Sequence, residues 1–194
     1  MKTKIYLASH FFNRGGFLET EYLADYLTEF FGDSIELYVP HRNADINDKK
    51  GNDQNITDID VYEGDMEKLK EVDILIANLD GVEIDSGVAG EIMAAAMYNE
   101  LNYDDKLIIG YTTDVRRNRA DMDFLLDISD ESNPFALRQL EQHKENFLYR
   151  NIMITGACRK WGALIDGYAY NDDYLLEIVK AVNEVVQLYD EGDL

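Results

Sequence analysis

The stretch Asp73-Ile-Leu-Ile-Ala-Asn-Leu-Asp80, followed shortly by Asp85-Ser-Gly-Val-Ala-Gly-Glu91, is the part of the sequence that decides the fold. The first segment is an apolar run, typical of a strand that is buried on both faces of a parallel sheet. The second contains glycine and leads into a helical pattern, so the pair predicts a strand that leads into a helix. Asp85 and Glu91 would then lie at the carboxyl end of the strand, where open α/β sheets bind ligands.

Apolar runs and helical periodicity alternate along the rest of the chain. Strands are predicted at Lys4–Ser9, Ser34–Pro40, Asp73–Leu79, Lys106–Thr113 and Asn151–Gly156. Helices are predicted at Glu19–Phe31, Thr57–Val72, Val88–Leu101 and Asp172–Tyr189. Loops are predicted at Phe11–Gly16, His41–Asn55 and Asp114–Gln142, the last becoming helical towards its end. This alternation predicts an α/β fold, a flavodoxin-like, doubly wound five-stranded parallel sheet with helices on both faces, in a single domain over residues 1–194.

The composition narrows the class of partner. A net charge of −21 argues against a nucleic-acid polymer or an anionic membrane, and favours an uncharged small molecule. The apolar runs fall short of the roughly 20 residues that span a bilayer. With Cys158 as the single cysteine and no leader pattern at Met1–Leu7, a cytoplasmic location is expected. The sequence contains no Cys/His cluster of the kind that binds zinc, and we expect neither a metal nor a cofactor.

The acids at the predicted strand end allow two interpretations. Paired carboxylates beside a crevice can cleave a glycosidic bond. Equally, Glu91 in the first turns of a helix can be a dipole partner, and Asp85 can be a cap. The same holds for other candidates, since Tyr6 can be a core aromatic, Asp65 a solvated helix acid and Asn151 a turn residue. None of these residues decides the function alone.

Together the candidate segments resemble the nucleoside 2-deoxyribosyltransferase family, from Lys4 to about Gly167. The resemblance is carried by four segments: Ile5-Tyr6-Leu7-Ala8-Ser9 with Phe11-Phe12-Asn13, then Val61-Tyr62-Glu63-Gly64-Asp65-Met66, then Asp85 to Glu91 with Ile92-Met-Ala-Ala-Ala-Met97, and Tyr149-Arg150-Asn151-Ile152-Met153. The third segment has the form Asp-x-Gly-x-x-x-Glu before an alanine-rich helix. Its position in this order makes the resemblance specific.

The resemblance implies roles for the four catalytic candidates. Glu91 matches the nucleophile, which forms a covalent 2-deoxyribosyl-enzyme at C1′ in a retaining, ping-pong reaction. Tyr6 matches the tyrosine that orients this nucleophile. Asp65 and Asp85 match carboxylates that hold the substrate, and one of them moves the proton to and from the base. Which of the two does so stays open at this point.

The resemblance also implies substrate contacts and an assembly. Phe12, Asn13 and Gly87 are expected to contact the substrate within one chain. Asn151 and Met153 match residues that reach a neighbouring subunit's site and contact the 5′ end of the sugar. The implied partners are 2′-deoxynucleosides, free nucleobases and further copies of the chain, in a hexamer or a dimer with shared active sites.

Two other functions stay open. Arg14-Gly15-Gly16 faintly resembles the basic, small-residue loop of related deoxynucleotide N-hydrolases, so a 2′-deoxynucleoside 5′-phosphate N-hydrolase is the first alternative. A non-catalytic flavodoxin-like binding domain is the second, and it treats the carboxylates as caps and surface charge. The choice between purine and pyrimidine bases cannot be read from the sequence.

Overall fold

Five parallel strands form one sheet in the computed structural model, which describes residues 2–43, 56–81, 83–101, 103, 105–113, 151–167 and 172–191. The strands are β1 (Thr3–Ala8), β2 (Ile35–Tyr38), β3 (Ile74–Asn78), β4 (Leu107–Thr112) and β5 (Gly162–Asp166). Their order is β2-β1-β3-β4-β5, and every neighbouring pair is parallel. This is the flavodoxin-like, doubly wound order, so the predicted fold class is confirmed.

Helices cover both faces of the sheet. They are α1 (Arg14–Phe31), α2 (Asp58–Glu71), α3 (Ser86–Glu100), α4 (Ile152–Trp161) and α5 (Asp173–Glu191). Side chains of α1 and α5 share one apolar core with Ile5 and Leu7 of β1, and side chains of α2, α3 and α4 share a second core with Tyr6. Because successive strand residues point to opposite faces, Tyr6 faces α2 and α3. None of the helices in the described residues is long and apolar enough to cross a membrane.

The predicted fifth strand at Asn151–Gly156 is wrong. Asn151 is the N-cap of α4, and the strand itself follows this helix at Gly162–Asp166. The β-branched residues at the start of α4 imitate a strand pattern. Packing decides otherwise, because Ile154 and Cys158 lie one helical turn apart and are both buried in the second core.

The loop predicted at Phe11–Gly16 is shorter than expected, because α1 begins at Arg14. The Asn13 Oδ1 accepts a hydrogen bond from the Gly16 backbone N–H at 2.9 Å, which satisfies the first turn of the helix. Gly16 packs tightly at this turn: a Cβ there would lie 2.2 Å from the His10 carbonyl oxygen. Of the loop predicted at His41–Asn55 the structure describes residues 41–43, and a short 3-10 turn spans Pro40–Arg42. The loop predicted at Asp114–Gln142 lies outside the described residues.

A buried lysine fastens the end of α2 to the sheet. The Lys106 side chain is 1% exposed, and its ammonium donates to the carbonyl oxygens of Lys70 at 3.0 Å and Val72 at 2.7 Å. The backbone of Lys106 exchanges two further hydrogen bonds with the Asn99 side chain on α3. Carbonyls at a helix end otherwise lack partners, so Lys106 fixes the helix that carries Asp65.

Candidate active site

Two tyrosines lie side by side on neighbouring strands beneath α2 and α3. Parallel pairing of β1 with β2 puts Tyr6 directly opposite Tyr38. Their ring centroids are 5.0 Å apart and the ring planes are tilted by 45°. The sheet register therefore brings two phenolic hydroxyls to the same level of the same face.

Tyr6 holds the acid of the third helix. Its hydroxyl donates to the Glu91 Oε1 at 2.6 Å. Burial is the main reason that the pKa of Glu91 rises to about 8; the acids Asp65 and Asp85 raise this pKa further, while the Tyr6 hydrogen bond lowers it. Burial also raises the pKa of Tyr6 far above its ordinary value, so Tyr6 stays a hydrogen-bond donor.

Tyr38 contacts the acid of the second helix in a similar way. Its hydroxyl lies 3.3 Å from the Asp65 Oδ1, and the Asn43 side-chain amide donates to the same hydroxyl at 3.2 Å. Burial raises the pKa of Asp65, and the hydroxyls of Tyr38 and Tyr6 oppose this rise. Burial likewise raises the pKa of Tyr38 to about 12. Tyr6 thus lies next to both Glu91 and Asp65.

Asp85 is the N-cap of α3. Its Oδ1 accepts hydrogen bonds from the backbone N–H groups of Gly87 at 2.9 Å and Val88 at 3.2 Å. A Cβ at position 87 would lie 3.1 Å from this oxygen, so Gly87 allows the cap to approach closely. Asp85 therefore has the capping role that the sequence allowed for it. Its carboxylate also contributes negative charge near Glu91.

The turn between β3 and α3 is fixed at its beginning by another acid. The Asp80 carboxylate accepts hydrogen bonds from the Thr112 hydroxyl at 2.6 Å, from the Thr113 backbone N–H at 2.8 Å and from the Thr113 hydroxyl at 2.6 Å. Gly81 follows with φ +119°, a conformation that favours glycine. Asp80 therefore ties the ends of β3 and β4 together and directs the chain towards Asp85.

An aromatic cluster lies at the other side of the β1 end. Phe12 is 77% exposed, and its ring stacks on Phe11 with centroids 5.1 Å apart. Phe11 and Phe17 both contact the His41 ring, and the His41 Nε2 lies 2.6 Å from the Glu21 Oε1. Phe12 is thus the exposed member of the cluster, whereas the Asn13 side chain is engaged in the helix cap.

The structure places Asn151 and Met153 at the exposed start of α4. The Asn151 Oδ1 accepts a hydrogen bond from the Met153 backbone N–H at 3.1 Å, and the Met153 side chain is 66% exposed. Their hydrogen bonds within the described residues serve the helix start. Their expected contact with a substrate in a neighbouring copy stays a prediction.

The arrangement suits proton transfer and attack at carbon. A carboxylate that accepts a hydrogen bond from a tyrosine, with a second acid beside the same tyrosine, suits glycosyl transfer, which uses a pair of carboxyl groups. Over the described part of the chain, no group of three or more His, Cys, Asp or Glu side chains could hold a metal ion. Sequence reasoning missed Tyr38 and Asn43, because their place depends on how β2 pairs with β1.

Comparisons with known proteins identify the family to which the chain belongs. The family model described as nucleoside 2-deoxyribosyltransferase matches residues 5–158. A solved structure of a conserved protein from Enterococcus faecalis V583 is similar, with a TM-score of 0.65 and 25% identity, covering 95% of this chain and 99% of that chain. A 2-desoxiribosyltransferase from Leishmania mexicana shows 18% identity and a TM-score of 0.42, covering 59% and 70% of the respective chains. No curated protein matches significantly. Because the family model covers most of its length, the chain belongs to the nucleoside 2-deoxyribosyltransferase family.

Proposed function

We propose that the protein transfers the 2-deoxyribosyl group between nucleobases through a covalent intermediate on Glu91. The observation that carries the proposal is the 2.6 Å hydrogen bond from the Tyr6 hydroxyl to the Glu91 Oε1, in a half-buried site shared with Asp65. The hydrogen bond orients the carboxylate, and we assign attack on C1′ to the other oxygen, Oε2. Orientation of this kind lowers the entropic part of the barrier.

The first half-reaction breaks the C1′–N bond, and its electron pair goes to the leaving nitrogen of the base. That nitrogen takes a proton from Asp65, and the Glu91 Oε2 forms the bond to C1′. In the second half-reaction an incoming base attacks C1′ and gives its proton to Asp65, while the bonding pair returns to Glu91. Charge develops at the sugar in each step, and the nearby carboxylate stabilises it.

We assign the proton to Asp65 rather than to Asp85. The Asp85 Oδ1 accepts two backbone hydrogen bonds at the start of α3, so this oxygen is engaged as the helix cap. Burial favours the neutral form of Asp65. Asp85 remains available to hold the substrate through its second oxygen, as the family resemblance implies.

The proposed reaction requires that the acid pair, Glu91 and Asp65, holds one proton. Asp65 carries this proton while Glu91 is ionised. The pKa of Glu91, raised to about 8, means that the pair keeps a proton at neutral pH. The Tyr6 hydroxyl lies next to both acids, so the proton can be distributed between them as the substrate binds. The half-buried setting also limits access of water and favours transfer over hydrolysis.

The test is incubation of the protein with 2′-deoxyinosine, with and without free cytosine. Formation of 2′-deoxycytidine supports transfer, whereas free deoxyribose alone indicates hydrolysis. No turnover with any combination of deoxynucleoside and base leaves the non-catalytic binding domain. Glu91→Ala is the matched control and should form no product. Mass spectrometry of the protein with 2′-deoxyinosine alone should show one added 2-deoxyribosyl group, which Glu91→Ala lacks.

The nucleotide hydrolase is the second candidate, favoured by Arg14, which is exposed in the first turn of α1. It predicts free deoxyribose 5-phosphate from 2′-deoxynucleoside 5′-monophosphates, and no transfer to cytosine. Sugar selectivity has a related test. A 2′-hydroxyl would compete for space near Glu91, so adenosine should react far more slowly than 2′-deoxyadenosine; equal rates contradict this hypothesis.

We further propose that the complete site includes a second copy of the chain, which supplies Asn151 and Met153. Their exposure at the start of α4 supports this role. Mixing inactive Glu91→Ala with inactive Asn151→Ala subunits should restore part of the activity, because one kind of mixed site is then intact. No recovery in demonstrably mixed oligomers would place both residues in their own chain's site.

A further inference from the structure

We propose that Tyr38 and Asn43 form a positioning pair for Asp65, which aims the proton-handling oxygen of that acid at the leaving base. The inference rests on the proposed transfer reaction and extends it to residues on the second strand and the turn after it. Neither residue has a role in the mechanism described above.

The hydrogen-bond chemistry of the pair fixes its direction. The Asn43 side-chain nitrogen can only donate, and it lies 3.2 Å from the Tyr38 oxygen. Tyr38 therefore accepts from Asn43, and its single hydroxyl proton is directed to the Asp65 Oδ1 at 3.3 Å. With Oδ1 held as an acceptor, the proton of a neutral Asp65 resides on Oδ2. A hydroxyl without Asn43 could rotate away from Asp65.

The pair is supported independently of the helix that carries Asp65. Tyr38 ends β2, and its ring packs on Tyr6 at 5.0 Å. Asn43 follows the short turn of residues 40–42, and its backbone N–H donates to the Pro40 carbonyl oxygen at 3.1 Å. Asp65 is therefore held by groups on the sheet, and not only by its own position on α2.

The two tyrosines divide the work between the two acids. Tyr6 donates to the nucleophile, and Tyr38 donates to the acid that protonates the leaving group. Loss of the Tyr38 hydroxyl should therefore harm only those reactions in which the leaving group needs a proton. A general disturbance of the site would harm every reaction equally.

The first experiment compares two substrates of Tyr38→Phe. With 2′-deoxyinosine, whose base must be protonated, we expect formation of the glycosyl-enzyme to slow by about 10- to 100-fold, a part of what a positioned acid contributes. With 4-nitrophenyl 2-deoxyriboside, whose phenolate leaves without a proton, the rate should change little. Tyr22→Phe removes an exposed hydroxyl that contacts Asp172, and serves as the control.

Equal slowing on both substrates, or no slowing on 2′-deoxyinosine, would overturn the role of Tyr38. These results are distinct from failure of the proposed function itself, in which the wild-type protein transfers no deoxyribosyl group. Phenylalanine retains the ring that packs on Tyr6, so the variant is expected to fold. Its thermal midpoint reports any loss of packing separately from the rate.

A double-mutant cycle tests Asn43. Asn43→Ala alone should slow the reaction of 2′-deoxyinosine, and should leave the aryl substrate unaffected. If Asn43 acts on the reaction through the Tyr38 hydroxyl, as we propose, Asn43→Ala should cause no further loss in the Tyr38→Phe background. Additive losses would show that Asn43 acts on the substrate or on the fold by another route, and would overturn the pair.

Discussion

The Tyr6 hydroxyl reaches the Glu91 Oε1 at 2.6 Å although 85 positions of sequence separate the two residues. One residue belongs to the interior strand β1 and the other to the helix that follows β3. Pairing of β1 with β3 brings them together, and the alternation of side chains on β1 selects the face. The distance between these two side chains thus depends on the topology of the sheet.

Removal of the Tyr6 hydroxyl should change the pH dependence of the reaction. The activity is expected to follow a bell-shaped curve, because the acid pair must keep one proton and lose the other. The alkaline limb should fall near the pKa of Glu91, about 8. The Tyr6 hydrogen bond lowers this pKa, so Tyr6→Phe should move the alkaline limb of kcat/KM to higher pH. An unmoved limb would dissociate the titration from Glu91.

The stability of the protein should also depend on the protonation of Glu91. The pKa of this acid rises in the folded protein from 4.5 to about 8, so folding favours its protonated form. Its contribution to stability is therefore complete below about pH 4.5 and is lost progressively as the pH rises to about 8. Glutamine at this position does not titrate. The thermal midpoint of wild type minus that of Glu91→Gln should decrease over this window and then become constant.

Two substitutions of Asp85 separate its cap from its charge. Asparagine is also a good N-cap, so Asp85→Asn should keep the stability, whereas Asp85→Ala should lose about 1 kcal/mol of unfolding free energy. If Asp85 holds the substrate and Asp65 moves the proton, Asp85→Asn should raise KM more than it lowers kcat. A large fall in kcat that disappears with 4-nitrophenyl 2-deoxyriboside would instead assign the proton to Asp85.

Replacement of Lys106 should weaken the fold while leaving the chemistry intact. Lys106→Met retains the length of the buried side chain but removes the donor to the Lys70 and Val72 carbonyl oxygens. Buried acceptors without partners cost about 1 to 3 kcal/mol each, so denaturant unfolding should show a loss of this order. The exposed Lys180, which contacts Glu177, gives the matched control Lys180→Met, with little expected effect.

The sequence contains the information for the fold class because the buried strands are continuous apolar runs. It is less informative at Asn151–Gly156, where β-branched residues suit a strand but helical packing of Ile154 and Cys158 prevails. The signals for a helix were Asn151 as a cap and the basic residues Arg159 and Lys160 in the last turn. The local strand propensity of these residues is overridden here by tertiary packing, which favours the helix.

The site residues that belong to a sequence motif could be predicted. Those that reach the site only through strand pairing could not. Tyr6, Asp65 and Glu91 stand in recognisable segments, and the structure brings them together. The sequence shows Tyr38 only as an aromatic residue on a short strand. Its place in the site follows from the register that pairs it with Tyr6. Its partner Asn43 follows a turn that contains proline. The backbone path of such a turn cannot be predicted from hydrophobic periodicity.

β2 lies at the edge of the sheet, and this position affects which residues of the protein can be replaced. An edge strand has one neighbour, so its residues can be exchanged with less effect on the core than those of an interior strand. In the proposed mechanism the attacking carboxylate, Glu91, is held by Tyr6 on the interior strand, whereas the proton-handling acid, Asp65, is held by Tyr38 on the edge strand. Laboratory selection of variants at residues 35–43 is therefore expected to alter the range of accepted bases. Formation of the bond between Glu91 and C1′ of the sugar should stay unchanged in such variants.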